Sequence, residues 1–218
     1  YMDLIIERIL PYVARKHLAE FCDVFCETGF FSVAHARRLL TAALHEGLRV
    51  RLHADQLTQI GASALGADVG AASVDHLECI DDASIRALSS STTAGVLLPG
   101  TSFFLGGPYA PARTLIDAGV AVAIASNFNP GSCMSYSLPL MMTIACTQMR
   151  MSPEETIVAT TVNAASVLGL ADRLGSIEVG KEADLIVFDV PSHRSIPYEF
   201  GVNLVRRVIK RGVLLEFP

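Results

Sequence analysis

The chain has 218 residues, 51% of them hydrophobic and 18% charged, and a formal net charge of −5. That is enough apolar material for one sizeable core, or for a core and a small second domain. Charges of both signs are interspersed without a basic stripe, no apolar run reaches transmembrane length, and the start lacks a signal-peptide layout, so no nucleic acid and no membrane is expected and the cytoplasm is the default location.

Tyr1 stands directly on a helical pattern (Leu4, Ile5, Ile6, Ile9, Leu10), with no initiator Met and no cap. The sequence therefore reads as one that begins in mid-domain. Asp23-Val24-Phe25-Cys26-Glu27 reads as a strand. A helix from about Ser32 carries Val33, Ala36, Leu39, Leu40 and Ala43 on one face and stops at Gly47. The strand Arg49-Val50-Arg51-Leu52-His53-Ala54 follows, then an Ala-rich helix near 61–69 and the strand 72–77. Asp81 or Asp82 caps the next helix, before the strand Ala94-Gly95-Val96-Leu97-Leu98. A helix near 109–118 leads to the strand 120–125.

Strands and helices joined by short Gly turns imply right-handed parallel crossovers. No glycine-rich phosphate fingerprint follows the first strand, so a barrel fits better than a doubly wound sheet. From Ser137 the texture changes. Residues 138–149 form an apolar helix, and Ser152-Pro153-Glu154-Glu155 is a helix start with a capping box. The segments 175–189 and 205–215 read as short strands of a small antiparallel unit. The five cysteines (22, 26, 79, 133 and 146) lack paired metal spacing and read as buried thiols in a reducing compartment, with Cys22 and Cys26 straddling the first strand.

In parallel α/β folds, chemistry sits at the carboxyl ends of strands. His53 ends one strand, beside Asp55 and Gln56; it reads equally as a metal ligand or as a structural residue capping the strand. His76 ends the next, where it could be a ligand or an acid that polarises a carbonyl. The segment Ser126-Asn127-Phe128-Asn129-Pro130-Gly131-Ser132 follows the last strand. Its plain reading is a Pro-Gly loop with Asn turns, and its alternative is a polar ligand site.

Taken together, Arg51-Leu52-His53-Ala54-Asp55-Gln56, Asp75-His76-Leu77, Leu97-Leu98-Pro99-Gly100-Thr101 and Asn127-Phe128-Asn129-Pro130-Gly131-Ser132 resemble the imidazolonepropionases, in the metal-dependent amidohydrolase superfamily. Met149-Arg150-Met151-Ser152, Thr161-Val162-Asn163-Ala164-Ala165 and Gly175-Ser176-Ile177-Glu178-Val179-Gly180-Lys181 extend the resemblance along the chain. It implies the second half of a TIM-like (β/α)8 barrel over residues 1–170, then C-terminal strands of a small β-sandwich domain over 171–218. It also implies zinc or iron as cofactor, with His53 and position 127 as metal ligands and His76 as catalytic residue. Gln56 and Ser132 would contact the imidazolone ring, and Asn129 and Gly131 the ring-opened product.

The implied reaction is hydrolysis of 4-imidazolone-5-propanoate to N-formimidoyl-L-glutamate in histidine breakdown. The family's first half carries a His-x-His metal pair, and no His-x-His occurs here. The family also has Asp as ligand and base where this chain has Asn127. An amide binds metal weakly and accepts no proton near neutrality. The chain as it stands is therefore expected to be inactive. Expected partners are a small-molecule substrate, and either a missing N-terminal half or a second copy in a dimer. Two alternatives stand beside this one: another cyclic amidohydrolase or deaminase of the superfamily, and a catalytically dead binding or assembly protein.

Overall fold

The structure is a computed structural model that describes residues 1–216. Of the segment read as 171–218, residues 217 and 218 lie outside the described residues. In chain order the elements begin with a helical stretch: α1 (Met2–Leu4), a π segment (Ile5–Ile9) and α2 (Leu10–Arg15). There follow β1 (Phe21–Cys22), β2 (Phe25–Cys26), α3 (Val33–His45), β3 (Arg49–Ala54), α4 (Ala62–Asp68), β4 (Ser73–His76), α5 (Asp82–Ser89) and β5 (Ala94–Leu97). After them come α6 (Pro99–Leu105), α7 (Ala112–Asp117), β6 (Val122–Ile124), α8 (Leu138–Gln148), α9 (Pro153–Thr160) and α10 (Val162–Leu168). The chain closes with β7 (Leu185–Phe188), α11 (Ser195–Tyr198), β8 (Val205–Lys210) and β9 (Val213–Leu215). No helix among the described residues is long and apolar enough to cross a membrane.

The chain divides into two compact units: Tyr1–Leu97 with Thr114–Val122, and Leu98–Arg113 with the residues from Ala123 onward. The first is built on a parallel sheet in which β3 pairs with β1, β2 and β4, and β4 pairs with β5. β1 and β2 keep one register against β3 (Phe21 opposite Arg49, Phe25 opposite His53), so the single strand expected at 23–27 is one path interrupted at Asp23-Val24. The sheet's sidedness follows from alternation along β3: Val50 and Leu52 are buried on one face, while Arg49 and Arg51 are part-exposed on the other. Helix α3 buries the stripe Ala36, Leu39, Leu40 and Ala43, the 3.6-residue period of an amphipathic helix. Helix α4 comes so close to β4 that a Cβ on Gly66 would lie 2.2 Å from Val74 Cγ1. Only glycine permits that approach.

The second unit is helical around α8, which buries Met141, Met142, Ile144 and Ala145. Thr143 Oγ1 donates to the Pro197 carbonyl at 2.8 Å and so ties α8 to α11. Helix α9 starts with the expected capping box between Ser152 and Glu155. Strands β7, β8 and β9 form the small antiparallel sheet.

Two elements differ from the sequence reading. The strand read as 94–98 ends at Leu97, and Pro99 opens helix α6, because Pro99 fits the first helical turn and the left-handed Gly106 ends the helix. The strand expected over 175–189 narrows to Leu185–Phe188. The polar stretch before it forms local turns instead, with Lys181 bridging Glu178.

Candidate active site

β3 and β4 pair in parallel with His53 opposite Asp75 and Ala54 opposite His76. Strict alternation would send the His76 side chain to the opposite face from His53. The backbone prevents this: His76 and Leu77 both sit at positive φ, +89° and +73°. Such values are rare for a bulky residue and concentrate at functional sites. The turn brings the two imidazoles together, with ring centroids 4.5 Å apart. Phe25, the register partner of His53 on β2, stacks on the other side of that ring at 3.6 Å.

Both histidines are buried, His53 to 7% exposure and His76 to 6%. Burial first, and the neighbouring His76 second, push the pKa of His53 down to about 4, against the opposing pull of Glu27. The ring is therefore neutral near neutral pH. Its Nε2 is buried with no hydrogen-bond partner. An unpartnered lone-pair nitrogen on a neutral, fixed imidazole suits a metal ligand. His76 Nδ1 lies 3.3 Å from Glu78 Oε1.

The carboxylate nearest to His53 is one the sequence reading did not select. Glu27 follows β2, is 1% exposed, and places Oε1 3.4 Å from His53 Nε2. It also accepts from the backbone N–H groups of Gln56, Leu57 and Thr58 and from the Thr58 hydroxyl. Burial pushes its pKa up, but the bonds from Thr58, Leu57 and Gln56 outweigh burial and hold it below the ordinary range. The available signal was a glutamate ending an apolar strand in the same series as His53.

Asp55, which stands beside His53 at the strand end, has a structural job. It is fully buried at a left-handed φ of +50° and accepts from the N–H groups of Ile60, Ala62 and Ser63 and from the Ser63 hydroxyl. It anchors the start of α4. Gln56 lies between these two anchors, part-exposed, and its carbonyl accepts from the Cys79 thiol.

Behind the histidines the same sheet face is polar. Arg51 Nη2 pairs with Asp75 Oδ2 at 2.8 Å, Arg51 Nε donates to Ser73 Oγ, and Ser73 Oγ donates to Asp75 Oδ1. Burial raises the Asp75 pKa, with Arg51 pulling the other way. The five thiols are free; Cys26 and Cys133 are buried, while the other three are only partly covered. Burial pushes Cys26 up to about 11, which keeps it protonated and a poor nucleophile.

Asn127, Asn129, Gly131 and Ser132 belong to the second unit and form one tight loop. Asn127 follows β6 at φ +51°, a conformation asparagine tolerates, and its Nδ2 donates to Thr101 Oγ1 at 2.9 Å. Thr101, 1% exposed on α6, stood in the sequence only as part of a motif, with no site role. Asn129 Oδ1 accepts from the N–H groups of Gly131 and Ser132, while its Nδ2 donates to the Asn127 carbonyl and to Ser132 Oγ. The loop's backbone also closes on itself between Asn129 and Cys133. A Cβ on Gly100 would lie 2.7 Å from Cys133 Sγ and from Met141 Sδ, so glycine lets α6 pack against this loop.

Residues 30–215 match the model of the Amidohydrolase family. The chain belongs to the amidohydrolase family. Among its relatives within the family, the chain is 48% identical over 214 residues to imidazolonepropionase of Parabacteroides distasonis, covering 98% of this chain and 51% of that protein. It is 49% identical over 212 residues to imidazolonepropionase of Geobacillus kaustophilus, covering 97% of this chain and 50% of that protein. The chain thus spans about half the length of these relatives. The amidohydrolase fold is shared with an adenosine deaminase from Xanthomonas campestris with bound zinc (TM-score 0.72, 21% identity, 89% of this chain and 50% of that one). It is shared also with atrazine chlorohydrolase from Arthrobacter aurescens complexed with zinc and atraton (TM-score 0.75, 19% identity, 99% of this chain and 55% of that one).

Among the described residues of this amidohydrolase chain, no group of three or more His, Cys, Asp or Glu side chains is placed to hold a metal ion. The buried, unpartnered Nε2 of His53 fits one ligand position, and the residues present do not assemble a full set.

Proposed function

We propose that this chain is the C-terminal part of an imidazolonepropionase, a metal-dependent hydrolase that opens the cyclic amide of 4-imidazolone-5-propanoate to give N-formimidoyl-L-glutamate. The observation that carries this reading is the 48% identity to such an enzyme along 98% of the chain. The paired imidazoles of His53 and His76 at adjacent strand ends agree with it.

Zinc or iron, with His53 Nε2 as one ligand, would supply a Lewis acid that brings water to its nucleophilic form near neutrality. The other steps fall to side chains. His76 faces the ring carbonyl and stabilises charge as it develops on the oxygen. Gln56 and Ser132 orient the imidazolone ring. Asn129 and Gly131 meet the ring-opened product, which has to compete with the bonds these residues make to each other. Water adds across the carbonyl carbon–nitrogen bond; the bond breaks, and the departing ring nitrogen takes the proton.

That proton needs a carrier at position 127, and Asn127 cannot serve. Its amide has no basic site near neutral pH. With Asn127 in that place the chain is therefore inactive in this reaction. Asn127 is also what favours a second reading, a binding or assembly protein that has kept the fold without the chemistry. The substrate of the whole enzyme would be a small molecule, and the chain would pair with an N-terminal half or with a second copy of itself.

The test is a chimera that joins the N-terminal half of the Parabacteroides distasonis relative to this chain, loaded with zinc or iron. With Asn127→Asp the chimera should open imidazolonepropionate, and with Asn127 retained the rate should be lower by roughly a factor of a thousand, the range of a lost acid–base group. Failure of the Asn127→Asp chimera under both metals, with turnover of another cyclic amide or of a deaminase substrate, would replace this reading by a sister activity. Failure on every substrate, with tight ligand binding retained, would favour the binding protein.

A further inference from the structure

We propose that Glu27 is a positioning residue of this site: its buried carboxylate fixes the loop Gln56-Leu57-Thr58 and so sets where Gln56 stands beside His53. Glu27 is 1% exposed, and a carboxylate buried that far must be met by donors. Gln56 N–H donates to Oε1 at 2.6 Å, Leu57 N–H to Oε1 at 2.9 Å, and Thr58 N–H to Oε2 at 3.1 Å. The Thr58 hydroxyl adds a fourth bond at 2.7 Å. Three successive backbone N–H groups converging on one anion form a nest, a motif that elsewhere binds phosphate. Here the anion is part of the chain itself, contributed by the neighbouring strand.

That origin gives the arrangement its role. The loop after β3 has two carboxylate anchors. Asp55 is local and holds its far half, the N–H groups of Ile60, Ala62 and Ser63. Glu27 comes from β2 and holds its near half, so the position of Gln56 depends on the seating of β2 against β3. The oxygen that takes the Gln56 and Leu57 amides also lies 3.4 Å from His53 Nε2. The loop donors fill much of this carboxylate's accepting capacity beside the histidine nitrogen. One side chain thus fixes the substrate-side loop and borders the free nitrogen. The consequence for a bound ligand rests on the role proposed above for Gln56.

Amide hydrogen exchange on the full chain tests this, comparing the wild type with Glu27→Ala and Glu27→Gln. In Glu27→Ala the amides of Gln56, Leu57 and Thr58 should lose protection by about tenfold or more, and in Glu27→Gln, which keeps one acceptor oxygen for Gln56 and Leu57, the Thr58 amide should. The amides of Ile60, Ala62 and Ser63, held by Asp55, should change by less than about twofold. Formate added to Glu27→Ala should restore protection at 56–58 by occupying the emptied nest, an effect that loss of packing alone would not show. If Glu27→Ala does not fold, Glu27→Gln, which keeps the side-chain volume, decides on the Thr58 amide.

Unchanged exchange at Thr58 in Glu27→Gln overturns the inference. An equal loss at 60–63 does so too, as does a folded Glu27→Ala that formate leaves unprotected. Failure of the proposed function looks different: the chimera turns over no imidazolonepropionate while the 56–58 amides still depend on Glu27.

Discussion

Between about pH 7.5 and about pH 5, the first unit should lose about 2 kcal/mol of stability through His53. The folded pKa of His53 is about 4, against about 6.5 in an unfolded chain. As pH falls, the unfolded state takes up the proton first. The contribution is therefore fully present above about pH 6.5 and is lost as pH falls toward 4. At about pH 5 the unfolded imidazole is almost wholly protonated and the folded one only about a tenth, which at ~0.6 kcal/mol of thermal energy gives the figure above. The groups facing the ring sharpen the choice of window. Glu27, with its lowered pKa, loses its contribution only in more acid solution. Asp75, with its raised pKa, opposes the loss at the acid end. His76 stands against the ring on one side, and the uncharged Phe25 on the other. Urea unfolding at a series of pH values measures the slope, with His53→Gln as the control that should flatten it. A flat profile from about pH 7.5 to about pH 5.5 would refute the buried, neutral imidazole, as would a slope that survives in His53→Gln.

Asp55→Asn should destabilise the first unit by about 2–4 kcal/mol in the same unfolding assay, because four donors lose a charged acceptor in a fully buried place; a loss below about 1 kcal/mol would mean the carboxylate is not the anchor of α4. Gly66→Ala should cost about 1–3 kcal/mol through its contact with Val74, and Val74→Ala in the same chain should recover part of that, which a double-mutant cycle reads directly. Ser152→Ala removes the acceptor of the Glu155 N–H and should cost the second unit about 1 kcal/mol, visible as a lowered melting midpoint.

The sequence by itself determined the order of helices and strands from residue 32 to residue 97. The stripe at Ala36, Leu39, Leu40 and Ala43 and the alternation of Arg49, Arg51 and His53 are local patterns, and each reports a buried face through its own period. The cap at Ser152 was legible for the same reason, since a cap bonds to an amide three residues away, and the cap read as Asp81 or Asp82 falls on Asp81. Tertiary structure decided what pairing across strands decides. Nothing in the order Asp75-His76-Leu77 says that two left-handed residues turn the His76 ring toward His53. Nothing near Glu27 says that its acceptors will be filled by amides 29–31 residues further on, or that Asp55, standing beside His53, will turn away to hold α4. Donors and acceptors far apart in the chain find each other only once the strands have paired, because a buried carboxylate takes whichever N–H groups the fold delivers to it.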